Sequence, residues 1–384
     1  MKDMELIGAS LFSSAGIAET LVHEKLVHFR VANELNKERA DFYSYCYPET
    51  EMICGDITDD AVRGKIVQTA KKYNVNFVLA TPPCQGMSEA GKREQFDERN
   101  QLIFYAVDAI LRIDPDFAII ENVPQALTTQ ILVGGKVISI PDYLYEKLGA
   151  NYSFNDAKLL HCKDHGVPQL RERCIFLLIK KRFGKAWNFP RPEPEITLRE
   201  AIGDLPSLDP LLKEGLDETV RRFPDFLDKK EKAAAISPYH RPPVHSWKHV
   251  QWMMHTPSGK SAIYNEPDWI PRKDNGTPIK AHHNNYRRLK WDMPCRTITQ
   301  NNGVISSLAC VHPGRPYESE GQTLYSDPRC LSIYELMVVS TISPNWRIAP
   351  WAKESFIRHI IGEGIPSRIL FVLISELYRV LKGD

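Results

Sequence analysis

Residues 76–85 read NFVLATPPCQ, and how this stretch is read decides the architecture. Phe77 to Ala80 is a short apolar run with no polar alternate, as in a strand covered on both faces. Two prolines then end it, because proline offers no N–H to a ladder and fixes φ. The turn that follows carries Cys84. On its own, a cysteine there is a small packing residue; its neighbours decide whether it does chemistry.

The same grammar extends to both sides. LIGASLF, FRVANEL, EMICGD, NFVLA and FAIIENV are five short apolar runs within residues 6–123. Helix-like segments separate them: IAETLVHEKL, a stretch reaching Tyr47, DDAVRGKIVQTAKKYN and Glu98 to Arg112. The third has acids at its start and lysines at its end, as the helix dipole favours. This alternation predicts an α/β fold: an open, mostly parallel sheet with helices on both faces and ligands at the carboxyl ends of the strands. YSFNDAKLLH and RCIFLLIK, joined by a turn, predict antiparallel strands at a sheet edge.

Near Phe183 the pattern breaks. FPRPEPEI, GDLPSLDP and SPYHRPPVHSW are proline-rich, and residues 183–294 read as loops and short irregular elements, a size of loop region that is usually functional. Within it, Pro271 to Arg296 holds seven Lys/Arg against two Asp, a local charge of +5, with HHNNY and Trp291 interleaved. Basic residues among amides and aromatics suit phosphate and base-edge contacts, and Arg287 and Arg288 are the candidates. The whole chain of 384 residues carries a net charge of only +1, so any nucleic-acid surface is local. Eight cysteines without a C-x-x-C pair favour reduced thiols and the cytosol. HCKDH at 161–165 lacks a second ligand pair and reads as a polar turn, so no metal is expected. Nothing resembles a signal peptide or a membrane span.

The strand ends carry the function. The first run ends in the small-residue turn FSSAG, which lets a ligand approach the backbone. Glu34 ends the second, placed to bind ribose hydroxyls, and Asp56 ends the third, placed to accept from an adenine amino group. Cys84 follows the fourth and Glu121 ends the fifth. Together they describe a nucleoside-type cofactor beside a cysteine and a carboxyl.

PPCQ, ENV and VPQLRER, in this order and spacing, resemble motifs of the DNA cytosine-5 methyltransferase family. SLFSSAG, RNQLIFYAVDAI, CRTITQNNG and IGEGIPSRI resemble others, so the likeness spans most of the chain. It implies a Rossmann-like domain that binds S-adenosyl-L-methionine and releases S-adenosyl-L-homocysteine, with a smaller, loop-rich target-recognition domain inserted. We expect the catalytic domain over 1–183 plus 350–384, recognition over 184–335, and a hinge over 336–349. The resemblance gives Cys84 the nucleophile's role, Glu121 that of proton donor to the cytosine ring, and Arg173, with Arg171 beside it, that of their cationic partner. Residues 169, 171 and 173 alternate on a strand and share a face. It puts Phe12, Ala15, Gly16, Glu34, Asp56, Ile57, Pro83, Leu102, Glu363 and Gly364 at the cofactor, and Gln85, Ser88 and Thr299 on the DNA with Arg287 and Arg288. The chain departs from the family's pattern at Ser10, Ser14, Gly86-Met87 and Glu363, the last an acid where an asparagine is common. The expected activity is methylation of a flipped-out cytosine in double-stranded DNA by a cytosolic bacterial monomer, the methylase of a restriction–modification system. A cognate endonuclease would share its site without being a stable partner. The same chemistry on transfer RNA, or a non-catalytic binding relative, are the alternatives.

Overall fold

The computed structural model describes residues 4–83 and 101–383. Cys84, Gln85, Gly86, Met87 and Ser88 lie outside the described residues. The first five apolar runs form strands β1 (Ile7–Leu11), β2 (His28–Glu34), β3 (Glu51–Cys54), β4 (Phe77–Ala80) and β5 (Phe117–Asn122). They lie parallel in the order β3-β2-β1-β4-β5. A hairpin, β6 (Gln130–Val133) and β7 (Lys136–Ser139), follows β5. β8 (Tyr152–Phe154) and β9 (Leu159–His161) come next, then β10 (Gln169–Leu170) and β11 (Glu172–Lys180). β11 runs antiparallel to β5 and takes β8 and β9 on its other edge, completing an eight-stranded sheet.

Every residue of β4 and β5 is buried; the apolar runs Phe77–Ala80 and Phe117–Ile120 required it, and Glu121 and Asn122 at the end of β5 are buried with them. On one face Ala9, Val78, Ile120 and Phe176 pack with α2 (Asp60–Lys72), α3 (Leu102–Ile113) and α4 (Ile140–Leu148). On the other, Phe29, Leu79, Ile119 and Leu177 meet α11 (Ser367–Lys382) through Ile369, Leu373 and Leu377. The C-terminal helix thus packs back on the sheet. Caps set the entries. The Asn36 side chain accepts from the Arg39 N–H to start α1 (Lys37–Cys46), and Asp59 accepts from the Ala61 N–H to start α2.

Two expectations need correction. IAETLVHEKL is not a helix but a single 3-10 turn, Ala18–Leu21. Glu19 turns inward to accept from the Ser10 hydroxyl at 2.7 Å, and Glu24, at φ 56°, reverses the chain toward β2. Residues 183–294 are also more regular than their composition suggests. They hold α5 (Leu198–Ile202), α6 (Leu216–Arg222), α7 (Phe226–Ile236) and α8 (Trp247–Met254). Helices this short between prolines leave too few turns for a 3.6-residue period to show.

The rest of the chain carries β12 (Leu211–Leu212) paired with β13 (Val244–His245), β14 (Cys295–Arg296) paired with β10, and the hairpin β15 (Pro316–Ser319) and β16 (Gln322–Tyr325). α9 (Ile333–Val339) and α10 (Glu354–Glu363) lead back to α11. One apolar cluster joins Ala15, Ile17 and Phe42 of the first half to Ile298, Met337, Trp346 and Ile360. A separate cluster under residues 250–330 includes Trp252, Tyr286, Val311 and Cys330. Among the described residues, no helix is long and apolar enough to cross a membrane.

Candidate active site

The turn after β1 is contorted. Phe12, Ser14 and Gly16 have φ of 57°, 48° and 73°, a left-handed backbone that side-chain-bearing residues seldom adopt. Gly16 cannot be replaced without movement, since a Cβ there would sit 2.3 Å from the Tyr47 ring, whose hydroxyl donates to the Gly16 carbonyl at 2.5 Å. Glu34, at the tip of β2, holds this turn. Its carboxylate accepts from the Ser14 N–H at 2.9 Å and from the Asn36 N–H at 2.8 Å. Each oxygen keeps a further lone pair for a ligand hydroxyl.

Asn33 donates to the carbonyls of Ile53 and Gly55 and so fixes the β3 end beside it, where Asp56 is exposed and Ile57 buried. Among the described residues, the buried Ser14 hydroxyl has no partner. Strain and an unsatisfied hydroxyl in one turn fit a site completed by a ligand. Phe12, Ala15, Gly16, Glu34, Asp56 and Ile57 therefore gather at the ends of β1 to β3. Pro83 is exposed past β4, and Leu102 opens α3, half-buried. Gly364 joins them through Ile17, whose Cβ a side chain at 364 would meet at 2.8 Å. Glu363 differs from expectation: its carboxylate is engaged by Arg39, Gln300 and His359 rather than standing free.

The next strand ends carry the reactive groups. The Asn122 amide donates to the Pro82 carbonyl at 3.2 Å and pins the proline turn that precedes Cys84. Sequence reasoning took ENV as a unit and missed this job. Glu121 is buried, and Arg173 reaches it from β11 with Nε 2.7 Å from Oε1. The register explains the contact: Ile175 lies opposite Glu121, so Arg173 is its diagonal neighbour on the same face. Burial, the largest influence, holds the Glu121 carboxyl above the ordinary glutamate range, against the pull of Arg173 and Arg171.

Arg171 is a correction. Its buried guanidinium donates to the carbonyls of Ile298, Gly362 and Glu363, at 3.0, 3.2 and 2.8 Å. It binds the end of α10 and the strand-following segment together and does not touch Glu121. Gln169 works beside it, donating to the Val339 carbonyl and accepting from the Ile298 N–H. Only the last arginine of the Gln-x-Arg-x-Arg motif reaches the carboxyl.

Thr299 is half-buried, and its carbonyl lies so close to Gly362 that a Cβ there would meet it at 2.3 Å. Arg287 lines an open basin of about 490 Å³ with Lys260, Tyr264 and Lys290. Arg288 is the second correction: it is fully buried and donates to the carbonyls of Met253, His312, Tyr325 and Asp327. It organises the fold from within. Replacing Arg288 by alanine strands these acceptors, and we expect a loss of about 3 kcal/mol or more in denaturant unfolding. Unchanged stability would return it to the surface.

Comparison with known proteins agrees with the geometry. Residues 7–379 match the family model of the C-5 cytosine-specific DNA methylases. The chain is 38% identical over 378 residues to the Type II methyltransferase M1.HgaI of Avibacterium volantium, covering 97% of this chain and 98% of that one. It is 31% identical over 208 residues to the Type II methyltransferase M.BspRI of Lysinibacillus sphaericus, covering 52% of this chain and 45% of that one. In fold it is similar to the Entamoeba histolytica methyltransferase EhMeth, with a TM-score of 0.59, 14% identity and 98% of each chain covered.

Proposed function

Because the chain belongs to the C-5 cytosine-specific DNA methylase family, we propose that it methylates carbon 5 of a cytosine flipped out of a specific duplex DNA sequence, through a covalent bond from Cys84 to carbon 6. The observation that carries this reading is the buried Glu121 carboxyl, held by Arg173 at 2.7 Å on the strand beside the turn that leads to Cys84.

A base within a duplex is out of reach, so it must be extruded into this pocket. Carbon 5 of cytosine is a poor nucleophile while the ring is aromatic. The Cys84 thiolate forms a bond to carbon 6, and the displaced ring electrons move toward nitrogen 3, which takes a proton from Glu121. The same carboxyl accepts from the exocyclic amine and so selects cytosine over thymine, while Arg173 orients it. The ring is then an enamine whose carbon 5 is nucleophilic. Gly16, Glu34 and Asp56 would hold S-adenosylmethionine at the β1–β3 ends, and it would supply an electrophilic methyl: carbon 5 would bond to that carbon as its bond to the sulfonium sulfur breaks and S-adenosylhomocysteine leaves. Loss of the carbon 5 proton to a base restores the double bond and expels the thiolate, and nitrogen 3 returns its proton to Glu121.

The same reading takes residues 184–335 as the recognition domain, joined through 336–349, with Gln85, Ser88, Arg287 and Thr299 toward the DNA. It takes the enzyme as the cytosolic, monomeric methylase of a Type II restriction–modification system, a role suggested by the names of its relatives. The test is bisulfite sequencing of DNA from a methylation-free host expressing the chain, with methyl transfer to transfer RNA assayed in parallel. Conversion-resistant cytosines at one recurring sequence are expected; methyl transfer to transfer RNA alone would overturn the DNA reading. Replacing Arg287 by alanine should weaken binding to target and non-target duplexes alike and lower the slope of log K against log salt by about 1. Binding insensitive to this change places the phosphate contacts elsewhere.

A further inference from the structure

Glu363 stands where the family's last motif has an asparagine, and its surroundings explain the change. Arg39 Nη2 is 2.8 Å from Oε2 and 2.9 Å from Oε1. Gln300 Nε2 donates to Oε1 at 2.7 Å, and His359 Nε2 lies 3.1 Å from the same oxygen. These partners come from different parts of the chain. Arg39 sits in the first turn of α1, just beyond Glu34, while Gln300 lies on the segment that follows β14 and His359 one turn back in α10. The backbone around Glu363 is held as firmly. Arg171 grips the carbonyls of Gly362 and Glu363 together with that of Ile298, and Gly364 lies against Ile17 in the turn after β1.

An exposed ion pair stabilises little. Here both side chains are largely shielded, at 25% and 20% exposure, and one carboxylate is shared between a guanidinium and an amide. An amide at 363 could not serve, because its NH₂ would face the donors of Arg39 or Gln300. The acid and Arg39 belong together.

We propose that Arg39 and Glu363 form a latch: Glu363 positions the cofactor site rather than touching the cofactor, by locking the helix that follows Glu34 to the chain leaving the recognition region. The proposal rests on the reading of the β1–β3 ends as the S-adenosylmethionine site. The pair then governs cofactor affinity without taking part in the chemical step.

The test titrates S-adenosylhomocysteine, the unreactive product, into the full chain by calorimetry. Arg39→Glu and Glu363→Arg should each weaken binding by about tenfold or more, and the double swap should recover to within about threefold of wild type. KM for S-adenosylmethionine should follow the affinity, while kcat at saturation stays within about twofold. Thermal unfolding of each variant shows that it is folded. Glu363→Gln, which keeps size but loses charge, should weaken binding severalfold and serves where a reversal does not fold. Equal affinity across the folded variants, no recovery in the double swap, or a fall in kcat at constant KM overturns the latch. Wild-type protein that binds no S-adenosylhomocysteine overturns the cofactor-site reading itself, and the latch with it.

Discussion

Alanine in place of Cys84 is expected to abolish methyl transfer while leaving duplex binding within a few-fold of wild type. The argument is electronic. Without a sulfur to add at carbon 6, carbon 5 stays in an aromatic ring and cannot attack a methyl group, however well the two are aligned. Orientation and Glu121 alone then act on a carbon that is not nucleophilic, so a loss on the order of 10⁴-fold or more follows. Cysteine suits both halves of the cycle, because its thiolate attacks well and also leaves. Duplex carrying 5-fluorocytosine at the target should trap the wild-type protein covalently, since fluorine blocks the proton loss that releases the thiolate. The alanine variant should form no such complex. Retained turnover, or trapping by the variant, would remove Cys84 from the nucleophile's place.

How far the sequence anticipated the structure depends on which force placed each residue. The five parallel strands were legible because both faces of such a sheet are covered, so composition alone marks them; all of β4 and β5 is buried. Glu34 and Glu121 were legible because strand ends in this fold share one edge. Arg287 and Arg288 were not separable by composition, because charge carries no information about depth. In the structure Tyr286, Arg288 and Leu289 are buried, while Arg287 between them is half-buried and lines the open basin. The partner of Glu363 was invisible for another reason: Arg39 is 324 residues away in sequence. Only the sheet and α10 bring them together. The departure at Ser10 also gains a physical account. It donates to Glu19, which supplies a buried carboxyl next to β1, where the family's usual acid is missing.

Glutamine in place of Glu121 is expected to slow the single-turnover rate by about 10²–10⁴-fold, with duplex and S-adenosylhomocysteine affinity little changed. The amide keeps the shape of the carboxyl, and its oxygen can still accept from Arg173. What it lacks is a proton to give to nitrogen 3 as charge arrives there from the attacking thiolate. The wild-type site is built for that transfer. Burial holds the carboxyl above its ordinary range, although Arg173 sits 2.7 Å away and favours the ionised form. The acid form therefore persists to higher pH than on a surface glutamate. The sign of the pH dependence follows: as pH rises through the raised pKa, the share of protonated Glu121 falls and so does the part of the rate that needs it. The wild-type rate should therefore fall along a limb that belongs to Glu121, and the glutamine variant should lose that limb. A variant with the wild-type rate, or with the Glu121 limb intact, would show that the carboxyl only holds the base in place. Arg173 would then answer the developing negative charge on the ring.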